Sequence, residues 1–395
     1  MDETGSSTDK LALFNLGFRP FFLGASIYSV VVVLFWLAIY GFNIYFPIRG
    51  LTIFQWHAHE MIYGYSLAVI AGFLLTAVKN WTGIQTARGI VLAIIFSLWL
   101  AARLLFLSGS IFIEVAAIFD LLFVISLIIA TASPVIRARN WRQLGILSNL
   151  ILLAVANSVF YLGYTGILEQ GMYWGIYGGL YLVIGMILIL GSRVIPFFIE
   201  RGVGYPVQLY NPGWLTPLVL LIFIAFFISE LFLHDKYLTG STASVLFIIF
   251  LIRLTGWHTP GIWRKPLLWG LYVAMLFIIA GFLMFALNAY AGTSKYLAIH
   301  ALAYGGIGMI TVSMMARVSI GHTGRNVNEP PVIITYILVL LTAGSIARVI
   351  LPLLDMSHYR VWVIISQVFW IIAFSLFLVA FAPVLIKARI DDQPG

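Results

Sequence analysis

The sequence contains no cysteine and very little charge. Without cysteine, disulfides, thiolate metal sites and cysteine-held iron–sulfur clusters are excluded, so a metal would need histidine, methionine, carboxylate or tyrosine ligands. Charged residues make up 9% of the 395 positions and hydrophobic residues 62%, whereas about a quarter of a soluble globular domain is charged. No nucleotide-binding loop, hydrolase nucleophile elbow or zinc-protease motif is present. The composition predicts an all-α polytopic membrane protein.

Apolar runs of the length needed to cross a bilayer as a helix, about 20 residues, occur twelve times. Their predicted limits are 20–41, 58–78, 89–108, 111–133, 144–163, 172–195, 214–233, 241–255, 266–289, 296–318, 331–352 and 360–386. The eighth run is short and the least secure. We therefore predict one twelve-helix transmembrane domain over residues 20–386, with tails at 1–19 and 387–395.

The distribution of positive charge predicts the orientation of the spans. Twelve spans put both termini on one side, and most of the 22 lysines and arginines fall in the tails and in the loops on that side. The opposite loops contain only Arg49, Lys236, Lys295 and Arg360. Positively charged loops remain in the cytoplasm, so both termini are predicted to be cytoplasmic. The net charge of +8 reflects this topology and does not indicate nucleic-acid binding. The start of the chain also lacks the pattern of a signal peptide.

Short motifs recur along the chain. NWTG, IERG and GHTGR contain Gly83, Gly202 and Gly324, which are 119 and 122 residues apart and close the second, sixth and tenth spans. LAARLLF and SIARVIL place Arg103 and Arg348 near the ends of the third and eleventh spans. The recurrence predicts three pseudo-repeats of four helices, unlike the two halves of six found in the large secondary transporters.

Four polar side chains are predicted to share one level near the outer face. The segment QWHAHEMIYGY carries His57, His59 and Glu60 at the outer end of the second span, and His300 lies one turn into the tenth span. Taking such groups out of water is costly unless something binds them. A lone interfacial histidine is usually only hydrogen-bonded, but this grouping predicts a haem or redox-metal site. Because His57 and His59 point about 200° apart on a helix, they cannot chelate one ion, and we predict that His59 and His300 are the haem ligands.

The remaining candidates follow from the same geometry. His57 and Met61 share a helix face, and imidazole and thioether suit copper, so they are the candidate copper ligands. His322 is a further candidate metal ligand, although the glycines beside it also suit a simple helix end. Glu60 and Tyr63 are the candidates for proton relay.

Two arginines, Arg103 and Arg348, lie inside spans near the outer level. A buried arginine needs an anion, and no acid lies one helical turn from Arg103. The candidate partners are haem propionates and four acidic residues: Glu114, Asp120, Glu230 and Asp355.

Several blocks of the sequence resemble the NnrS family: LFNLGFRPFFLGA, WHAHEMIYGYSLAVIAGFLLTAVKNWTG, LWLAARL and HALAYGGIGMITVSMMARVSIGHTGR. The resemblance covers essentially the whole chain. It implies a bacterial inner-membrane protein that contains haem and copper and is tied to nitric oxide metabolism and tolerance of nitrosative stress. Arg19, Arg317 and Arg325 fall within these blocks without an assigned role. Arg19 is expected to face the cytoplasmic headgroups.

A second resemblance concerns architecture alone. Three groups of four helices, cofactors near the outer face and an HxH pair also resemble the haem–copper oxidases and nitric oxide reductases. In those enzymes the HxH pair lies on the tenth helix and a single histidine on the second, the reverse of this chain. The histidines that they carry on helices six and seven are missing here. The analogy therefore does not imply the same binuclear centre.

Three functions are compatible with the sequence. The first is a haem and copper redox protein that detoxifies or senses nitric oxide, with an electron donor from the respiratory chain. If it is an enzyme, it is then an oxidoreductase acting on nitric oxide. The second is a non-enzymatic transporter of metal, haem or a nitrosyl species, and the third is a structural or assembly factor.

The redox hypothesis predicts that the purified protein has a haem Soret band and stoichiometric copper, because both cofactors would be resident. Optical spectroscopy and metal analysis measure this directly. A colourless, metal-free and correctly folded preparation would reject the hypothesis.

Overall fold

The computed structural model describes residues 11–46, 50–109, 112–391 and 393. Twelve helices in this part of the chain are long and apolar enough to cross a membrane, which confirms the predicted all-α polytopic fold. We name them α1 to α12 in chain order: Phe18–Gly41, Ile53–Thr82, Gly89–Leu107, Ile113–Arg137, Trp141–Tyr164, Gly171–Gly202, Leu215–Leu233, Lys236–Gly256, Pro266–Ala291, Lys295–His322, Ile333–Leu354 and Tyr359–Ile386. The eighth helix is longer than predicted. Lys10 and Arg49, which were counted in predicting the orientation of the spans, lie outside the described residues.

Local signals set several of the helix ends. A capping box begins α2: the Thr52 hydroxyl accepts from the backbone N–H of Gln55 at 3.2 Å, and the Gln55 side chain accepts from the Thr52 N–H at 2.8 Å. Asp235 caps the start of α8 by accepting from two backbone N–H groups. Gly83 follows α2 in the left-handed conformation, with φ of 72°. These caps lie outside the predicted apolar runs, so α2 begins at Ile53 and α8 at Lys236, each before its predicted limit of 58 or 241.

The chain divides into two compact units by its internal contacts. The first unit comprises Met1–Gly179, Met315–Ile333 and Phe374–Gly395, and the second comprises Leu180–Met314 and Ile334–Ala373. This division differs from three repeats of four helices, which remains a prediction.

Small residues allow close helix packing within each unit. In the first unit a side chain at Gly72 of α2 would collide with the ring of Phe22 of α1, and in the second a side chain at Gly240 of α8 would collide with Ala289 of α9. Membrane helices attract one another mainly through such close van der Waals contact, because lipid is as apolar as their side chains.

In the described residues, five of the twelve helices contain a π-helical segment. These segments are Leu37–Gly41 in α1, Glu60–Ser66 in α2, Ser229–Leu233 in α7, Ala301–Gly308 in α10 and Ile346–Ile350 in α11. Four of them contain or directly follow an ionisable side chain: Glu60, Glu230, His300 and Arg348. Single π-helical turns inside α-helices are rare overall, and those that do occur often lie at functional sites. They therefore single out these polar side chains within long apolar helices.

Arg19 does not face the headgroups, so that expectation is wrong. Its side chain is fully buried, and Nη1 donates to the carbonyls of Leu385 at 3.1 Å and Lys387 at 2.6 Å. Both carbonyls are at the end of α12, where the last carbonyls of a helix lack partners within the helix and the dipole is negative. Arg19 therefore caps the last helix, a contact that only the tertiary structure brings about.

We predict that Arg19→Ala loosens the end of α12, because its terminal carbonyls lose their charged donor. Hydrogen exchange measured by mass spectrometry should be faster in peptides that cover residues 380–390 and unchanged in α4. The matched control is Arg88→Ala, which removes an exposed arginine. Equal exchange at the α12 end in wild type and Arg19→Ala would contradict the capping role.

Candidate functional site

The first unit contains four ionisable side chains that are in contact and fully buried: His59, Glu60, Arg103 and Asp120. We call them the first-unit charge cluster. Nη1 of Arg103 donates to Glu60 Oε1 at 2.7 Å, and Nη2 donates to Asp120 Oδ1. Arg103 of α3 thereby joins α2 to α4. Asp120 is one of the acids that the sequence offers as its partner.

His59 lies between two hydrogen-bond acceptors. Nδ1 is 2.8 Å from Glu60 Oε1, and Nε2 is 3.1 Å from Asn157 Oδ1 and 3.8 Å from Asp120 Oδ2. The orientation of the Asn157 amide follows from its own bond, because Nδ2 donates to Asp120 Oδ2 at 2.9 Å. Ionised carboxylate and amide oxygens accept hydrogen bonds, so both ring nitrogens face acceptors, the arrangement that suits an imidazolium. With His59 in that form, the cluster would contain two cations and two anions.

Aromatic groups enclose the cluster. The His59 ring lies against Phe160 and Phe106, with centroid separations of 4.3 and 4.7 Å. The Tyr161 hydroxyl donates to Asp120 Oδ2 at 2.9 Å, and the Tyr28 hydroxyl donates to Glu60. Buried charges are tolerated only when they are paired and their remaining hydrogen-bonding positions are used. These rings and hydroxyls meet both conditions.

Glu60 contacts its neighbour in the sequence, His59. In an ideal α-helix Glu60 shares its face with His57, three residues before it. The carboxylate instead lies beside His59, at the start of a π-helical segment. His57 stacks on the ring of Trp36, with centroids 4.5 Å apart, and Met61 is half-buried in the π segment.

Of the two predicted relay residues, only Glu60 belongs to the hydrogen-bonded cluster. The Tyr63 hydroxyl donates to the carbonyl of Gly175 at 2.6 Å, although its ring lies 5.0 Å from that of His59. The hydroxyls that reach the carboxylates come from other helices, α1 and α5. Sequence reasoning missed Tyr28, Asn157 and Tyr161, and the polar Asn157 inside an apolar span is the one signal that could have indicated them.

A second group of polar side chains lies in the second unit, around His300 of α10. Its Nδ1 is 2.8 Å from the carbonyl of Tyr296, so it carries the proton and donates. In the neutral ring the lone pair is then on Nε2, which lies 3.0 Å from Nη2 of Arg348 and accepts from it. Arg348 Nη1 donates to the Tyr359 hydroxyl at 2.8 Å. We call His300, Arg348 and Tyr359 the second-unit cluster.

Arg348 differs from Arg103 in its electrostatic partners. Its side chain is 8% exposed, and no carboxylate among the described residues lies within ion-pair distance of it. The acids proposed from the sequence have other partners: Glu230 pairs with Lys295, and Asp355 lies 2.7 Å from His358. The positive charge of Arg348 is therefore held by neutral groups alone.

A single metal site containing both His57 and His322 is incompatible with the structure. His57 stacks on Trp36, whereas the ring of His322 lies 5.8 Å from that of Phe18. Phe18 and Trp36 are at opposite ends of the straight part of α1, about 27 Å apart at 1.5 Å per residue. Among the residues that the structure describes, no group of three or more histidine and carboxylate side chains is placed to hold a metal ion.

The other two basic residues of the matching blocks lie at the end of α10 that is predicted to be cytoplasmic. Arg317 is half-buried within the helix and Arg325 follows it. Partial burial lowers the pKa of Arg325 from its usual value. Neither belongs to the first-unit charge cluster or to the group around His300.

The fold and these clusters define a polytopic α-helical membrane protein with a group of ion-paired side chains buried among its spans. The family model described as NnrS protein matches residues 12–389, and the chain belongs to the NnrS family. A comparison with curated proteins finds no match.

We predict that Arg103→Met lowers the free energy of unfolding by about 3–5 kcal/mol, the usual cost of leaving buried charges without their partner. Denaturant titration of the detergent-solubilised protein measures this. The matched control Arg142→Met removes an exposed arginine and should change stability by less than about 0.5 kcal/mol. A loss no larger in Arg103→Met than in the control would show that the ion pairs do not stabilise the fold.

Proposed function

We propose that this protein acts in the response to nitric oxide at the bacterial inner membrane, and that the first-unit charge cluster holds a proton that this chemistry uses. Membership of the NnrS family supports the first part. The observation that carries the second is the His59 ring, which is fully buried and faces acceptors at both nitrogens. Ionisable residues inside membrane helices typically serve ion and proton pathways.

Charge balance explains why such a cluster responds to a nearby reaction. With His59 protonated, the cluster has no net charge. Loss of that proton leaves a net negative charge in an apolar interior, and protonation of Glu60 or Asp120 leaves a net positive one. Either state is costly unless a compensating charge arrives. A proton at this site therefore moves together with an electron or ion near it, and the reduction of nitric oxide consumes both electrons and protons.

His300 has one feature of an iron ligand. A ligating histidine almost always donates its other ring N–H to a carboxylate or backbone carbonyl, as Nδ1 of His300 does to Tyr296. Haem bound there would supply the site for nitric oxide and for electron transfer, but iron would have to replace Arg348 at Nε2. His59 would likewise have to give up Glu60 or Asn157 to ligate iron. The pairing of His59 with His300 thus remains a prediction, as does a propionate bound by Arg103.

The described residues suit copper less well than haem. The described residues offer no group of three histidine or carboxylate ligands, and His57 packs against an aromatic ring. The proposed function therefore does not include copper.

The proposal has two further parts. Both termini are cytoplasmic, which the charge distribution supports. An electron donor from the respiratory chain supplies the protein, which the proposed redox chemistry would need.

A proton-coupled transporter is the second candidate. It is favoured by the π-helical segments beside Glu60, Glu230, His300 and Arg348, because irregular backbone within membrane helices is typical of substrate sites. Uptake of a metal ion, haem or a nitrosyl species into proteoliposomes, driven by a pH gradient, would support the transporter. Consumption of nitric oxide by the reduced purified protein would support the redox function.

The proposed proton role predicts that His59→Gln loses nitric oxide tolerance, because glutamine can hydrogen-bond but cannot carry the proton. Growth after exposure to a nitric oxide donor is measured in cells whose only copy is the variant. We expect survival near that of cells without the protein, and near wild type for the control His258→Gln, which replaces an exposed histidine.

Membrane abundance and thermal stability of each variant show whether it is folded. Should His59→Gln itself be unfolded, Asn157→Asp serves instead. It keeps an acceptor for Nε2 but replaces the amide that donates to Asp120 by a second carboxylate, so the cluster gains either a negative charge or an extra proton and loses its charge balance. Full tolerance in a folded His59→Gln or Asn157→Asp protein would disprove the proton role.

A further inference from the structure

Helices α2 and α10 have the same local construction. In each, a histidine is the last residue before a π-helical segment, a tyrosine is the fourth residue of that segment and a glycine is the fifth. One constant interval along the chain relates His59 to His300, Tyr63 to Tyr304 and Gly64 to Gly305. The same interval relates Gly83 to Gly324, which both have positive φ, 72° and 79°. The two helices are therefore internal counterparts.

Each counterpart has an arginine beside it from the helix that follows in the chain. Arg103 of α3 contacts α2 through Glu60, and Arg348 of α11 contacts α10 through His300. The residue after His59 is Glu60, but the residue after His300 is Ala301. One copy thus supplies carboxylates for its arginine, and the other lacks the carboxylate at the corresponding position.

The surroundings of Arg348 leave its charge uncompensated but accessible. Only two of its N–H groups are used, by Tyr359 and His300, out of the five that a guanidinium has. His300 and Tyr359 are both partly exposed, so a small ligand can approach. The two acids that the sequence offered as its partners in this unit, Glu230 and Asp355, have other partners. A buried cation without a counter-charge is unfavourable, and an anion would relieve that cost.

We propose that the second-unit cluster binds a small planar anion with two oxygens. Arg348 would hold both oxygens, since a guanidinium matches a planar two-oxygen anion in bidentate geometry. The Tyr359 hydroxyl would donate to the same anion, and the Nε2 lone pair of His300 would keep the guanidinium in place. The anion is either free, such as nitrite, or the carboxylate of a bound organic ligand. The site itself does not rest on the proposed function, which only suggests nitrite as a probe.

The test measures binding of sodium nitrite and sodium acetate to the purified full-length protein by isothermal titration calorimetry. We expect Arg348→Gln to weaken binding at least about tenfold, as expected when a charge-assisted bidentate pair is lost. Tyr359→Phe should weaken it a few-fold, and Arg348→Lys should keep part of the affinity because the cation remains. The control Arg360→Gln removes an exposed arginine of the same region and should bind as the wild type does.

The two sources of the anion give different results. Saturable nitrite or acetate binding by ligand-free protein indicates a free anion. An organic ligand that copurifies with wild type but is depleted in Arg348→Gln and retained in Arg360→Gln indicates a bound carboxylate. The proposal is overturned if the wild type shows neither, or if folded Arg348→Gln matches it in both assays. Because His59 lies in the other unit and is tested by growth, failure here leaves the proposed proton role standing, and the reverse also holds.

Discussion

The placement of Arg103 inside the membrane domain imposes the strongest constraint on this structure. A guanidinium is costly to bury, so Glu60 and Asp120 must lie within hydrogen-bond distance of it. The His59 ring and the hydroxyls of Tyr28 and Tyr161 are the further hydrogen-bond partners of those two carboxylates. One arginine thereby fixes the relative positions of α1 to α5 at this depth, which apolar packing alone would leave free to slide.

The π-helical segments coincide with these contacts. One segment begins at Glu60, directly after His59, and its counterpart begins at Ala301, directly after His300. Both clusters are therefore built where the regular α-helical hydrogen bonding of a span is interrupted. The residues around Glu60 form a distinctive motif, but α2 is about as apolar as the other spans, so hydropathy alone does not reveal the segment.

The two clusters treat buried charge in opposite ways. The first pairs its charges within the cluster, whereas the second holds a single positive charge among neutral partners. The internal counterparts differ at one position: Glu60 supplies a carboxylate in the first unit, and Ala301 supplies none in the second. This difference is the basis on which we propose a proton site in the first cluster and an anion site in the second.

The sequence by itself determined the class of protein, the twelve helices and their approximate ends, because hydrophobic length and capping residues are local properties. It also singled out His59, His300, Arg103 and Arg348, since polar groups are conspicuous in apolar runs. Only the tertiary structure decided their partners: Asn157 for His59, Tyr359 for Arg348, and the last carbonyls of α12 for Arg19. Partner choice depends on how each helix is rotated and which helix lies beside it, and neither quantity is encoded in the hydropathy of a single span.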